Sequence, residues 1–372
     1  MKYVDLCNNK VSRLGFGCMR LPEDSSGIDY IKAMEMADYA IKEGINYFDT
    51  AYVYHNGESE TFVKKVLEKH GREKIFVADK LPIYDCTVKE DMDRFLDEQL
   101  ERLGTDHIDY YLFHSLREKY FNSMKEFDYH DFIKRNKENG KIKHIGFSFH
   151  DDLDLFKEII DDYDWDFCQI QFNYIDTDYQ AGLEGYNYAT NKGIPVIIME
   201  PIRGGRLAKV PRPVREVFDS KFSDYTDALI ALKYVADYPN AQVILSGMRT
   251  MSDLVANTKL FSDVEPDSLS EEEKELYLKA KEILSDYQTI NCTGCDYCKE
   301  GCPVGINISK IFTKFNDQLE NPWQNEDDVL KWYKELESKA DVCLECGACE
   351  GACPQKLDII NKLKIVDKYF NK

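Results

Sequence analysis

The sequence contains no long hydrophobic run. No stretch of about 18 consecutive apolar residues occurs, so no transmembrane helix is expected. The opening MKYVDLCNNK lacks the apolar core and small-residue cleavage site of a secretory signal. Basic blocks are also absent. With 48 Lys and Arg against 68 Asp and Glu, the formal net charge is −20, which repels nucleic-acid phosphates and anionic membrane surfaces. Neither nucleic acid nor a membrane is therefore an expected partner, and the expected location is the cytoplasm. Gly and Pro are sparse, at 20 and 11 of 372 residues, while 43% of the chain is hydrophobic, a composition that folds rather than stays disordered. No G-x-G-x-x-G turn follows the first apolar run, which argues against an open dinucleotide-binding sheet.

What is present is alternation. Eight short β-rich runs cover 14–21, 46–51, 75–80, 108–114, 142–149, 167–173, 195–201 and 242–248. Between them lie stretches such as DYIKAMEMADYAIKEG and VKEDMDRFLDEQLERLG, whose apolar residues recur at three and four and which stop at Gly44 and Gly104. Eight strand-then-helix units predict an eight-stranded parallel (β/α)8 barrel, an α/β fold whose functional groups sit at the C-terminal ends of the strands. Those ends carry Asp49, Lys80, His114, Ser148, Gln171, Glu200 and Arg249. After the eighth run, Ser268 or Ser270 with Glu271 or Glu273 three residues on predicts a capped amphipathic helix.

From about residue 287 the character changes. Eight of the 12 cysteines lie between 292 and 353, while Cys7, Cys18, Cys86 and Cys168 are scattered. In a reducing compartment such a group binds metal rather than forming disulfides. Cys292-x-x-Cys295-x-x-Cys298-x-x-x-Cys302-Pro and Cys343-x-x-Cys346-x-x-Cys349-x-x-x-Cys353-Pro each match the bacterial ferredoxin run, in which the fourth thiolate ligates the other cluster. Zinc sites draw on two pairs of ligands and do not repeat a third Cys at i+6. Two 4Fe-4S clusters are expected, one on Cys292, Cys295, Cys298 and Cys353 and the other on Cys343, Cys346, Cys349 and Cys302. The 40 residues between Cys302 and Cys343 read as two helices broken at Asn321-Pro322, closer to helical dicluster ferredoxin modules than to small ferredoxins. The expected division is a barrel over 1–286 and a small, mainly helical ferredoxin-like domain over 287–372.

Asp49 in FDTAYVYHNGESE, Tyr54 five residues later, Lys80 in VADK and His114 in YYLFH resemble the tetrad of the aldo-keto reductase superfamily in identity, order and strand position. The resemblance spans roughly residues 3 to 285, and the cysteine groups resemble the branch of that superfamily with a C-terminal ferredoxin domain. It implies reduction of a carbonyl, or oxidation of an alcohol, with Tyr54 as proton donor, Lys80 lowering the cost of its phenolate, Asp49 holding Lys80, and His114 donating to the substrate oxygen. Tyr52 is the rival donor, since one of 24 tyrosines near a strand end is commonly packing. The resemblance also implies NADP(H) or NAD(H), with Ser148 and Gln171 on the carboxamide and the loop Pro201-Ile202-Arg203-Gly204-Gly205-Arg206 on the pyrophosphate. Gly247, Arg249 and Asn257 would lie at the adenosine end, with Arg249 on a 2′-phosphate. Met199 stands where many members place an aromatic under the nicotinamide. A hydride carries two electrons and a cluster one, so a relay needs a group that splits the pair, and a flavin at the barrel mouth is the candidate. The alternative is an electron-transfer protein whose barrel is a cofactor holder or docking scaffold.

Overall fold

The protein is described by a computed structural model over residues 1–287, 289–320 and 326–371. It forms two compact units, Met1–Pro201 with Leu232–Ser268, and Ile202–Ala231 with Leu269–Lys372.

The first unit is built on a closed parallel barrel of eight strands: β1 (Leu14–Gly17), β2 (Tyr47–Asp49), β3 (Phe76–Leu81), β4 (Ile108–Leu116), β5 (Ile142–Phe149), β6 (Phe167–Gln171), β7 (Val196–Met199) and β8 (Ala241–Ser246). Each strand pairs with the next in sequence, and β8 returns to β1 with Ile244 opposite Leu14. Each overlaps an apolar run read from the sequence, with β3, β4 and β8 reaching one or two residues beyond theirs. A barrel wall is buried on both faces, which is why β4 is buried at every residue and shows no alternation. Helix Glu90–Leu103 turns Met92, Phe95, Leu96, Leu100 and Leu103 inward at three- and four-residue spacing and ends at Gly104, whose φ of 64° is the left-handed stop a Cβ would disfavour.

Before β1, a hairpin of Tyr3–Leu6 and Asn9–Ser12 turns through Cys7 and Asn8, both left-handed at φ 52° and 65°. Its Leu6 and Val11 pack against Tyr47, Tyr110, Phe167, Ile197 and Val243 at the N-terminal ends of the strands. This closes the N-terminal end of the barrel. Burying those two side chains contributes about 1.5–3 kcal/mol each.

In the second unit, helices Arg212–Phe222 and Glu271–Ser285 pack through Phe218 and Phe222 on Tyr277, with ring centroids 5.2 and 5.9 Å apart. Ser270 and Glu273 form the capping box, which decides between the two serines. The cysteine region is a structural repeat. Left-handed residues stand two, four and thirteen positions after the first cysteine of each group: Gly294, Asp296 and Gly305 after Cys292, and Glu345, Gly347 and Lys356 after Cys343. Sixteen positions after the same cysteines, helices Ile308–Glu320 and Ile359–Phe370 begin. Phe312, Phe315, Leu363, Val366 and Phe370 from these helices share one core with Tyr333. The expected break at Asn321-Pro322 lies outside the described residues; helix Ile308–Glu320 precedes it and helix Glu326–Lys334 follows.

Candidate active site and cluster cavities

At the barrel mouth three of the four tetrad residues come from consecutive strands. Asp49 is the last residue of β2, Lys80 lies in β3 and His114 in β4. The Lys80 ammonium is fully buried and donates to Asp49 Oδ1 at 2.8 Å and to the Thr50 carbonyl at 2.6 Å. It lies 4.9 Å from the centroid of the Tyr54 ring. Burial pushes the Asp49 carboxyl above the ordinary carboxylate range, and the Lys80 charge pulls against that. Tyr54 arrives from a loop rather than a strand. His55 and Asn56 after it are left-handed, and His55 is held at both ring nitrogens: Leu21 N–H donates to Nε2 at 3.2 Å, and Nδ1–H donates to Glu23 at 2.8 Å. That clamp fixes where the phenol stands, with its ring edge-on to His114 at 6.0 Å.

Burial first, and the Lys80 charge after it, push the His114 pKa well below the ordinary value, which favours the neutral ring. The Tyr84 hydroxyl lies 3.2 Å from His114 Nδ1. With Tyr84 donating there, the neutral ring carries its proton on Nε2, the form that can donate to a carbonyl oxygen. Tyr52, the rival to Tyr54, points elsewhere: its hydroxyl donates to Glu98 at 2.8 Å and its ring lies 4.0 Å under the Arg102 guanidinium.

The residues named for the dinucleotide are more tied to the protein than their sequence context suggests. Ser148 Oγ accepts from Ser115 N–H at 2.7 Å, and Gln171 Nε2 donates to the buried Asp176 at 2.8 Å. Met199 is half-buried beside Gln169, with Nε2 3.5 Å from its sulfur, and Glu200 after it is left-handed with Oε1 3.9 Å from Arg20. Pro201 ends this segment of the first unit. Past the end of β8, Asn257 donates to Ser246 at 3.0 Å, Gly247 leaves room that the Arg20 side chain approaches, and exposed Arg249 precedes the Thr250 cap of helix Met251–Asp263. In the second unit Arg203 is buried with φ 48°, and Gly204 sits so close to Thr293 that a Cβ would stand 1.9 Å from its carbonyl oxygen. Gly205 is open, with nothing within 4 Å of an added Cβ. Arg206 is an inward ion pair rather than a solvated charge, 2.7 Å from Glu320 and donating to Thr289.

The eight clustered cysteines line two cavities. Cys292, Cys295, Cys298 and Cys353 share one of about 330 Å³, and Cys302, Cys343, Cys346 and Cys349 share another of about 320 Å³. In both groups the N–H two residues after the first cysteine donates to that cysteine's sulfur at 3.4 Å, from Gly294 to Cys292 and from Glu345 to Cys343, and Ile306 N–H does the same for Cys302. Amide donors to cysteine sulfur around a cavity lined by four thiols fit an iron-sulfur cluster.

Residues 13–273 match the model of the aldo/keto reductase family. The chain belongs to the aldo/keto reductase family. Residues 291–357 match a 4Fe-4S dicluster domain. Among curated relatives of this aldo/keto reductase, the Glycine max protein named probable aldo-keto reductase 1 is 34% identical over 154 residues, 37% of this chain and 42% of its own length. L-galactose dehydrogenase of Arabidopsis thaliana is 24% identical over 294 residues, 71% of this chain and 88% of that one. The chain spans 35% to 42% of the length of the first curated relatives it matches. An aldo-keto reductase of Bacillus halodurans in its holo form superposes with a TM-score of 0.62 at 24% identity, covering 75% of this chain and 96% of that one. One from Klebsiella pneumoniae in complex with NADPH gives 0.61 at 19%, covering 75% and 94%. These likenesses carry the fold. Among the described residues no helix is long and apolar enough to cross a membrane.

The aldo/keto reductase site also includes groups that sequence reading passed over. Tyr84 follows Lys80 by four residues in the single-turn 3-10 helix Ile83–Asp85, too short to show periodicity, and its contact with His114 is purely tertiary. Asp176 reaches Gln171 from a turn five residues on. The thirteen-residue offset of the left-handed positions was open to reading as Gly305, but Lys356 at the matching place in the second group hides it.

Proposed function

We propose that this aldo/keto reductase reduces a carbonyl, or in reverse oxidises an alcohol, with NADP(H) or NAD(H), using Tyr54 as proton donor, and that two 4Fe-4S clusters relay electrons. The observation that carries the reading is the buried Lys80 ammonium, held by Asp49 and Thr50 and set 4.9 Å from the Tyr54 ring. A phenol is a poor acid at neutral pH, and a fixed cation beside it stabilises the charge it acquires on giving up its proton. His114, neutral and with Nε2–H outward, orients the substrate oxygen and stabilises the negative charge that develops there. Ser148, Gln171, Met199, Pro201, Arg203, Gly204, Gly205, Gly247, Arg249 and Asn257 would hold the dinucleotide, which when bound supplies the hydride. Residues 1–286 would form the reductase domain and 287–372 the dicluster domain, a division supported by family matches that end at 273 and begin at 291. The cavity linings favour crossed ligation, with Cys353 joining the first group and Cys302 the second. Cysteines grouped to bind iron rather than to form disulfides also favour a cytoplasmic location.

The test is carbonyl-dependent NADPH oxidation. Tyr54→Phe should lower turnover about 10²- to 10⁴-fold with cofactor affinity nearly unchanged, because only a group acting in the transition state is lost. Tyr52→Phe should leave turnover within a few fold, and the reverse pattern would make Tyr52 the donor. A second reading, a flavin-containing electron-transfer protein, is favoured by Met199, a half-buried thioether where the family commonly has an aromatic. Flavin bands in the visible spectrum of anaerobically purified protein, together with no carbonyl-dependent NADPH oxidation, would select it.

A further inference from the structure

The strand that carries Lys80 outruns its neighbour on one side. Asp49, the last residue of β2, stands opposite Ala78 of β3, and Thr50 N–H donates to the Ala78 carbonyl at 2.8 Å. Residues two apart on a strand turn their peptide groups to the same edge, so the N–H and C=O of Lys80 face the side where β2 has ended. A buried peptide that has lost its ladder partner must be satisfied in another way. Here side chains do it: Lys80 N–H donates to Asp79 Oδ1 at 2.8 Å, and Gln99 Nε2 donates to the Lys80 carbonyl at 3.0 Å. Gln99 lies in helix Glu90–Leu103 and is itself held by the Tyr111 hydroxyl, which donates to its Oε1 at 2.6 Å.

A second carboxyl lies behind that clamp. Glu60 of helix Glu58–His70 and Asp79 are both fully buried and hydrogen-bonded to each other. Arg102 reaches Glu60 Oε2 at 3.0 Å. Two carboxyls thus share one guanidinium, while the Lys80 ammonium is held by Asp49 and Thr50. Asp79 Oδ2 and Glu60 Oε1 are buried and receive no N–H or hydroxyl from another residue. Two carboxylates in contact in a buried site do not both ionise, and one proton between them supplies the missing donor. Burial first, then the Glu60 charge, push the Asp79 carboxyl well up. Burial raises Glu60 as well, but Arg102 pulls it back, which leaves the proton on Asp79.

We propose that Asp79 and Glu60 share one proton and that Asp79, oriented by this bond, is a positioning residue that holds Lys80 in place beside Tyr54. The proton fixes Asp79 Oδ2 on Glu60, which turns Oδ1 onto the Lys80 N–H, and Arg102 fixes Glu60 in turn. Without the proton the two carboxylates repel, Asp79 turns away and the Lys80 peptide is released. A shift of that backbone carries the ammonium away from the Tyr54 ring. The positioning role rests on the carbonyl-reductase reading, whereas the shared proton does not.

Infrared spectra of the full-length, anaerobically purified protein in light and heavy water test the proton directly. At neutral pH wild type should show a carboxylic-acid C=O band that Asp79→Asn lacks, because the amide supplies the donor and Glu60 stays ionised. An acid band unchanged in Asp79→Asn overturns the shared proton. Turnover of 4-formylbenzoate with NADPH tests the positioning. Asp79→Ala should lower kcat about ten- to hundredfold with KM within a few fold, and Asp79→Asn, which keeps the acceptor for the Lys80 N–H, should restore most of it. Gln99→Met frees the Lys80 carbonyl while filling the same space and should lower kcat in the same way, which serves if Asp79→Ala does not fold. Wild-type kcat in folded Asp79→Ala or in Gln99→Met, or a loss that Asp79→Asn does not restore, overturns the positioning. If wild type reduces no aldehyde yet the acid band disappears in Asp79→Asn, the reductase reading fails, the positioning role fails with it, and the shared proton stands.

Discussion

Replacing Lys80 with Met removes the cation from the centre of the site while keeping an unbranched chain of similar length. Two costs follow from the geometry. At 2.8 Å from Asp49 the pair has a gross attraction of about 6 kcal/mol at an effective dielectric of 20, most of it offset by burying both charges. Removing only Lys80 leaves Asp49 buried and unpaired, so the single variant should lose about 3–5 kcal/mol of stability. The second cost is catalytic. At 4.9 Å the ammonium stabilises negative charge on the Tyr54 ring by about 3 kcal/mol on the same basis, which is about a hundredfold in turnover. The two are separable. Asp49→Asn combined with Lys80→Met removes the stranded charge and should recover about 2 kcal/mol or more in urea unfolding, yet turnover should stay as low as in the single variant. Urea unfolding and NADPH-linked reduction of 4-formylbenzoate measure the two halves. A double variant that regains activity along with stability would show that Lys80 only props up the fold.

Two further outcomes follow. Under crossed ligation Cys353→Ser should remove the cluster signal of the Cys292 group in low-temperature EPR and leave that of the Cys343 group, with iron falling from about eight per chain; loss of the other signal would refute the crossing. Burial first, then the Arg117 charge, lowers His150 from 6.5 to about 3, with the Gln180 side chain opposing. A lowered histidine takes up its proton in the unfolded state first, so stability is intact above pH 6.5 and lost as pH falls toward 3. Wild type should therefore lose about 2 kcal/mol relative to His150→Gln between pH 7 and pH 5, and parallel pH profiles would place His150 in solvent.

The barrel was legible because each strand is an apolar run bounded by a helix signal, and a parallel wall must recur at that spacing to close. Strand ends followed from that count, so Asp49, Lys80 and His114 could be named without a structure. The N-terminal hairpin was not read as such, since Tyr3–Leu6 and Asn9–Ser12 are short and turn through Cys7-Asn8 rather than the Asn-Gly or Asp-Gly pair that marks a two-residue turn. Tyr84 also escaped, because a single 3-10 turn carries no periodicity and its contact with His114 is tertiary. The ion pair of Arg206 was not legible because its partner Glu320 lies 114 residues away. The cysteine spacing was legible, since three of the four cysteines that line each cavity lie at local offsets that sequence displays directly.

The central claim joins the hydride chemistry of the barrel to the one-electron chemistry of the cysteine region, and one measurement addresses both. Anaerobic protein is mixed with NADPH in the absence of any carbonyl, and EPR is recorded at low temperature. With a flavin bound to split the hydride pair, the account predicts that reduced-cluster signals appear, and that they appear equally in Tyr54→Phe, whose missing hydroxyl matters only to the substrate. Clusters that stay oxidised under NADPH, yet are reduced by dithionite, would contradict the relay and leave the iron sites as braces for the C-terminal helices.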